Sequence, residues 1–159
     1  MVVKLIGIAL FTITCLTSST LKLSYDFSKP IVNDVLPTSL QEISGLAIID
    51  STTIACIQDE NGILFLYDLK KHKLTKQFTF GLNGDYEGIT RVGKLLYILR
   101  SDGVLFELKD YSTKKLSVKT YATRVPAFNN EGLCYDSIHN RLLIGAKGKI
   151  NKDPLNKDL

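Results

Sequence analysis

The chain is poor in the residues that usually announce chemistry. Its 159 residues include three cysteines and two histidines, and no spacing among them matches a zinc site. Gly-x-Ser-x-Gly, His-Glu-x-x-His and phosphate-cradling glycine loops are all missing, which removes the motif-based case for the common hydrolases and nucleotide enzymes. No apolar run reaches the roughly 20 residues that a membrane helix needs. No segment sustains a 3.6-residue hydrophobic period, so helices should be few. The formal charge of +4 comes from scattered lysines rather than a basic stripe with interleaved aromatics, which argues against a nucleic-acid partner. With 45% hydrophobic and 23% charged residues, what remains is an ordinary globular composition.

What is present is a repeat. Gln41-Glu42-Ile43-Ser44-Gly45-Leu46 is echoed by Gly84-Asp85-Tyr86-Glu87-Gly88-Ile89 and by Asn129-Asn130-Glu131-Gly132-Leu133. Each copy has an acidic or amide residue three before the glycine (Glu42, Asp85, Asn129), a polar residue one before it (Ser44, Glu87, Glu131) and an aliphatic residue after it. Gly45 to Gly88 is 43 residues and Gly88 to Gly132 is 44. About 40–45 residues is what one four-stranded propeller blade occupies. The expected fold is all-β, a partial β-propeller of four-stranded antiparallel blades, about two and a half blades long.

Period-two alternation and turn residues divide the repeats into strands. Blade one should comprise Ile43–Ile49, Thr52–Ile57, Ile63–Leu69 and Leu74–Phe80, with Leu74, Lys76, Phe78 and Phe80 alternating against Thr75, Gln77 and Thr79 on the last. Blade two should comprise Tyr86–Val92, Leu95–Leu99, Val104–Leu108 and Leu116–Tyr121, and blade three Gly132–Tyr135 and Arg141–Ala146. The inner strands are apolar on both faces, as stacked blades require. Leu21, Leu23, Tyr25 and Phe27 alternate with polar residues and predict a further strand before the first repeat. Blades stack on their neighbours, so a part-ring needs missing blades or self-association to cover its open face, and the chain reads as the N-terminal part of a longer propeller.

Three divisions follow: a leader over residues 1–19, a strand and linker over 20–40, and the incomplete propeller over 41–159. The leader has one early cation, Lys4, and an apolar run from Leu5 to Ile13, the pattern of an export signal. Two processing sites are open. Thr12-Ile13-Thr14-Cys15 is an imperfect lipoprotein box that would make Cys15 a lipidated N-terminus, and Thr17-Ser18-Ser19 suits ordinary cleavage; an uncleaved anchor is the alternative. Either route places the protein outside the cytoplasm or on the cell envelope. Cys56 and Cys134 sit in apolar runs and are expected to be small buried core residues, with a disulfide as the alternative. His72 and His139 lie in turns and should face solvent.

The candidate site is the rim where the repeats converge. Side chains two apart on a strand share a face, so Glu42, Asp85, Glu87 and Glu131 should gather there. Uniform hairpins would set Glu42 opposite Asp59, Glu87 opposite Arg100, and Glu131 near Lys147. Like charges facing each other are destabilising unless a cation lies between. One reading is an oxygen-ligand site for calcium, held by Glu42, Asp59, Glu87 and Glu131. The other is a network of ion pairs using Asp85, Arg100 and Lys147 that fixes blade register. The first would permit metal-dependent hydrolysis, the second a binding or scaffold role; bases on the same rim favour the second.

Several motifs in order add a resemblance. Leu36-Pro37, Leu40-Gln41-Glu42-Ile43-Ser44-Gly45-Leu46-Ala47, Gln58-Asp59-Glu60-Asn61-Gly62, Gly84–Ile89, Arg100-Ser101-Asp102-Gly103 and Asn130–Leu133 together resemble the SdiA-regulated family of bacterial envelope proteins, from about Leu36 to Lys149. The resemblance implies a six-bladed propeller related to the NHL and phytase-like groups, exported or membrane-associated, with no established enzymatic activity and with later blades that this chain lacks. A phytase-like or lactonase-like hydrolase is the alternative activity it implies.

Overall fold

A computed structural model describes residues 26, 28–113, 115–125 and 129–148. The chain divides into two units, Met1–Asn33 and Asp34–Leu159. Of the first, the described part is a short turn in which Asp26 Oδ1 accepts the Ser28 backbone N–H at 3.1 Å and hydroxyl at 2.6 Å. The export signal, Cys15 and, Asp26 excepted, the strand expected over Leu21–Phe27 lie outside the described residues.

The second unit is a partial β-propeller. Strands β1 (Ile43–Ile48), β2 (Thr53–Gln58), β3 (Ile63–Asp68) and β4 (Lys73–Thr79) form one antiparallel four-stranded sheet in chain order. Strands β5 (Tyr86–Val92), β6 (Leu95–Arg100), β7 (Val104–Lys109) and β8 (Ser117–Ala122) form a second. A hairpin of β9 (Asn130–Asp136) and β10 (Arg141–Ala146) begins a third. One 3-10 turn, Thr38–Leu40, precedes β1. The turns are those that polar side chains and positive φ allow: Asp50 Oδ1 accepts the Thr52 amide at 2.8 Å, and Gly93 and Gly103 have φ of 59° and 83°.

Two apolar clusters hold the sheets. The larger lies between blades one and two, where Ile57, Leu64 and Leu66 meet Ile89, Ile98 and Phe106. Phe80, Tyr86 and Phe106 form a T-shaped trio in it, with centroids 5.0–5.6 Å apart, the arrangement that ring quadrupoles prefer. The smaller cluster lies on the opposite face of blade one, where Leu40 of the 3-10 turn covers Cys56, Phe65 and Tyr67. Burial pushes the Cys56 thiol up to about 11.

Two expectations about faces fail. Cys134 is exposed and, like Cys56, a free thiol; it lies on the face of β9 turned away from blade two, which nothing among the described residues covers. On β4 the alternation breaks, because Leu66 pairs with Lys76 but Tyr67 pairs with Leu74. That bulge at Thr75 sends Leu74 to the outer cluster while Phe78 packs into the inner one. The histidines behave as expected: both are exposed, His72 beside Asp34 at 2.5 Å and His139 beside Asp136 at 2.7 Å.

Candidate functional site

The three repeat copies occupy equivalent places, each on the first strand of its sheet. Each carries a β-bulge at the residue before the glycine. Pairing runs Ile43↔Gln58 then Gly45↔Ile57, Tyr86↔Arg100 then Gly88↔Leu99, and Asn130↔Ala146 then Gly132↔Gly145. Ser44, Glu87 and Glu131 are thus the extra residues. Glu42 and Asn129, two residues upstream of the bulge, take φ of 60° and 61°.

The glycines and the residues after them form a repeated joint. A Cβ on Gly45 would sit 2.9 Å from Cγ2 of Ile89, and one on Gly88 would sit 2.8 Å from Cβ of Leu133. Each glycine is therefore the hollow that admits the aliphatic residue of the next blade's copy. A second contact repeats beside it. The Tyr86 amide donates to the Asp59 carbonyl at 2.8 Å, and the Asn130 amide donates to the Ser101 carbonyl at 2.9 Å. Asp59, Ser101 and Lys147 are equivalent, since their own amides donate to Glu42, Asp85 and Asn129 carbonyls respectively.

This geometry gathers most of the predicted rim. Glu87 has its carboxyl raised above the ordinary range, first by burial, then by a hydrogen bond and repulsion from Asp85, and further by Glu131 and Asp59. Asp59 Oδ1 is shielded from solvent and accepts no hydrogen bond among the described residues. Lys147 lies 2.7 Å from Glu131, as the sequence suggested, and that contact raises the lysine's pKa. Asn129 Nδ2 donates to the same carboxylate at 3.1 Å.

Two predicted rim residues stand elsewhere. The bulge puts Tyr86, not Glu87, opposite Arg100. The guanidinium instead makes paired hydrogen bonds to Asp102 at 3.0 and 2.8 Å and lies 5.5 Å from the Phe106 ring centre. That pairing holds the Asp102 carboxyl below its ordinary range. Glu42 is opposite Asp59, whose amide reaches its carbonyl at 3.4 Å. Its side chain, however, lines a polar groove of about 440 Å³ with Thr38, Gln58, Asn61 and Gln77.

Among the described residues, no three His, Cys, Asp or Glu side chains are grouped to hold a metal ion. Sequence reasoning missed Asn130, fully buried with Nδ2 donating to the Ser101 carbonyl at 3.0 Å; its place beside the repeated glycine was the available signal. Among the described residues, no helix is long and apolar enough to cross a membrane.

No protein-family model matches the chain, and no curated protein does. Among solved structures it is similar to the computationally designed Ika4 protein, at 12% identity and a TM-score of 0.42, over 72% of this chain and 92% of that one.

Proposed function

We propose that the chain is a propeller-type binding or scaffold module of the cell envelope that presents its acidic rim to a cationic group of a partner. In this reading it is exported by its leader, anchored through Cys15 or released by cleavage, and related to the SdiA-regulated family through the motifs above. The observation that carries the binding role is the state of Glu87. Its carboxyl resists ionisation first because it is partly buried and then because Asp85, Glu131 and Asp59 repel its charge, and an incoming positive charge offsets both. Lys147 pairs with Glu131 and acts more weakly on Glu87 and Asp85, so one base faces the four acids Glu131, Glu87, Asp85 and Asp59 and the surplus is acidic.

Calorimetry with a short lysine peptide and with calcium chloride tests the reading. Heat with the peptide that weakens with salt and is reduced by Glu87→Gln supports it. Heat with calcium alone, abolished by the same substitution, replaces it with a metal site. Silence in both titrations leaves the rim as a register-fixing ion-pair network.

A further inference from the structure

We propose that two copies of this chain dock head to tail, with blade one of each seated on the β9–β10 hairpin of the other, and close a dimeric ring. The inference stands apart from the proposed binding role; it rests on the joint between blades. Within the chain that joint is made twice, Ile89 on Gly45 and Leu133 on Gly88. Among the described residues, the three copies of this two-sided joint leave one aliphatic and one hollow unused.

The leftover aliphatic is Leu46 on β1, 58% exposed, with Ile48 next to it on the same face at 72%. The leftover hollow is Gly132 on β9. A Cβ there would meet only Gly145 of its own hairpin, at 3.5 Å or more. Gly145 occupies the place held by Ile57 and Leu99 in the other blades, so the hollow is deeper than either one in use. Cys134 and Leu143 flank it, both exposed. The hydrogen-bond series leaves matching ends as well. Continuing it would bring the Ile43 amide of one copy to the Lys147 carbonyl of the other, as Tyr86 meets Asp59 and Asn130 meets Ser101.

The widths of the two faces agree. Leu40 and the residues before it already cover the β2–β3 part of blade one's outward face, so the apolar strip left in water is confined to β1. The third sheet has two strands among the described residues, a narrow face to set against a strip one strand wide. A contact between unlike faces closes only if rotation brings the ends together. Two chains of three blade positions each supply six, inside the range of about 4–8 that closed propellers use.

Sedimentation of the full chain over a concentration series reads the outcome. The expected result is a dimer that Leu46→Glu and Gly132→Val each reduce to monomer. Both sites are open in the single chain, so the circular dichroism of either variant should match the parent. An equimolar mixture of the two variants should recover a dimer, because one sound joint remains between unlike copies. Independently, Ile48→Cys should form an intermolecular disulfide with Cys134 on oxidation, located by peptide mapping. A chain that stays monomeric throughout overturns the proposal. So does a dimer broken by Leu46→Glu but indifferent to Gly132→Val, since that is the mark of two Leu46 faces meeting each other.

Discussion

Glu87 shows how one side chain can be held against its own preference. It is the extra residue of a bulge, so no residue on β6 pairs with it; partial burial and then the carboxylates of Asp85, Glu131 and Asp59 act on it, where uniform hairpin register would have placed an arginine. The folded chain therefore holds a proton at Glu87 more tightly than the unfolded chain does. A carboxyl raised in this way costs stability as pH climbs from its ordinary value of 4.5 through its folded value, and the deficit persists above that window. Glu87→Gln removes the titration while keeping a donor for Asp85. The variant should melt higher than the parent at neutral pH, and the gap should close as pH falls below 4.5. Thermal melts across a pH series decide this: a gap of constant size at every pH would mean that ionisation of Glu87 is not its source.

At the scale of the element, the repeat builds a joint between blades. A glycine in a strand normally costs stability, and here Gly45 and Gly88 offset that cost by letting the next blade's aliphatic residue in. Substitution should rank by what the new Cβ meets. Gly88→Ala strikes Leu133 Cβ at 2.8 Å, an atom that moves only with its backbone, whereas Gly45→Ala strikes Cγ2 of Ile89 at 2.9 Å, an atom that a change of rotamer can shift. Gly132→Ala meets ordinary contact distances. Denaturant melts at monomeric dilution should show Gly88→Ala destabilised by about 1–3 kcal/mol as overpacking predicts, Gly45→Ala by less, and Gly132→Ala changed by less than about 1 kcal/mol. Equal losses at all three positions would mean that the glycines serve local backbone conformation and not blade contact. The strands themselves were legible from turn residues and apolar runs, with observed limits within two residues or so of those expected for most of them; β9 begins at Asn130, two residues before the glycine. The bulges were not. Hairpin counting assumes one residue opposite one, and a single extra residue in β4 or β5 sends every later side chain to the other face. That is why Glu87 lost Arg100 and Leu74 parted from Phe78. The exposure of Cys134 was hidden for another reason: an apolar run says that a strand suits burial, and whether a neighbouring sheet covers it is a fact about another part of the chain.

For the molecule as a whole, the two sheet-to-sheet contacts are unequal. Between blades one and two, four strands face four, and the shared cluster includes side chains removed from water altogether, such as Ile57, Leu64, Leu96, Ile98 and Leu108. Blade three offers two strands among the described residues, and its apolar residues Leu133, Leu142 and Ile144 are only half-buried. Local opening free energy follows buried apolar contact, so the chain should come apart from the β9–β10 end first. Hydrogen exchange on dilute, monomeric protein should find the amides of β2, β3, β6 and β7 most protected and those of β9 and β10 exchanging well before them. The same measurement at high concentration separates two origins of this weakness. If the hairpin is loose because its outer face lacks a partner, protection in β9 and β10 should rise as copies meet, and it should rise on β1 together with it, since Leu46 and Ile48 are the other half of the joint. If the hairpin is loose through its own short strands and paired glycines, protection there should stay low at every concentration while β1 is unaffected.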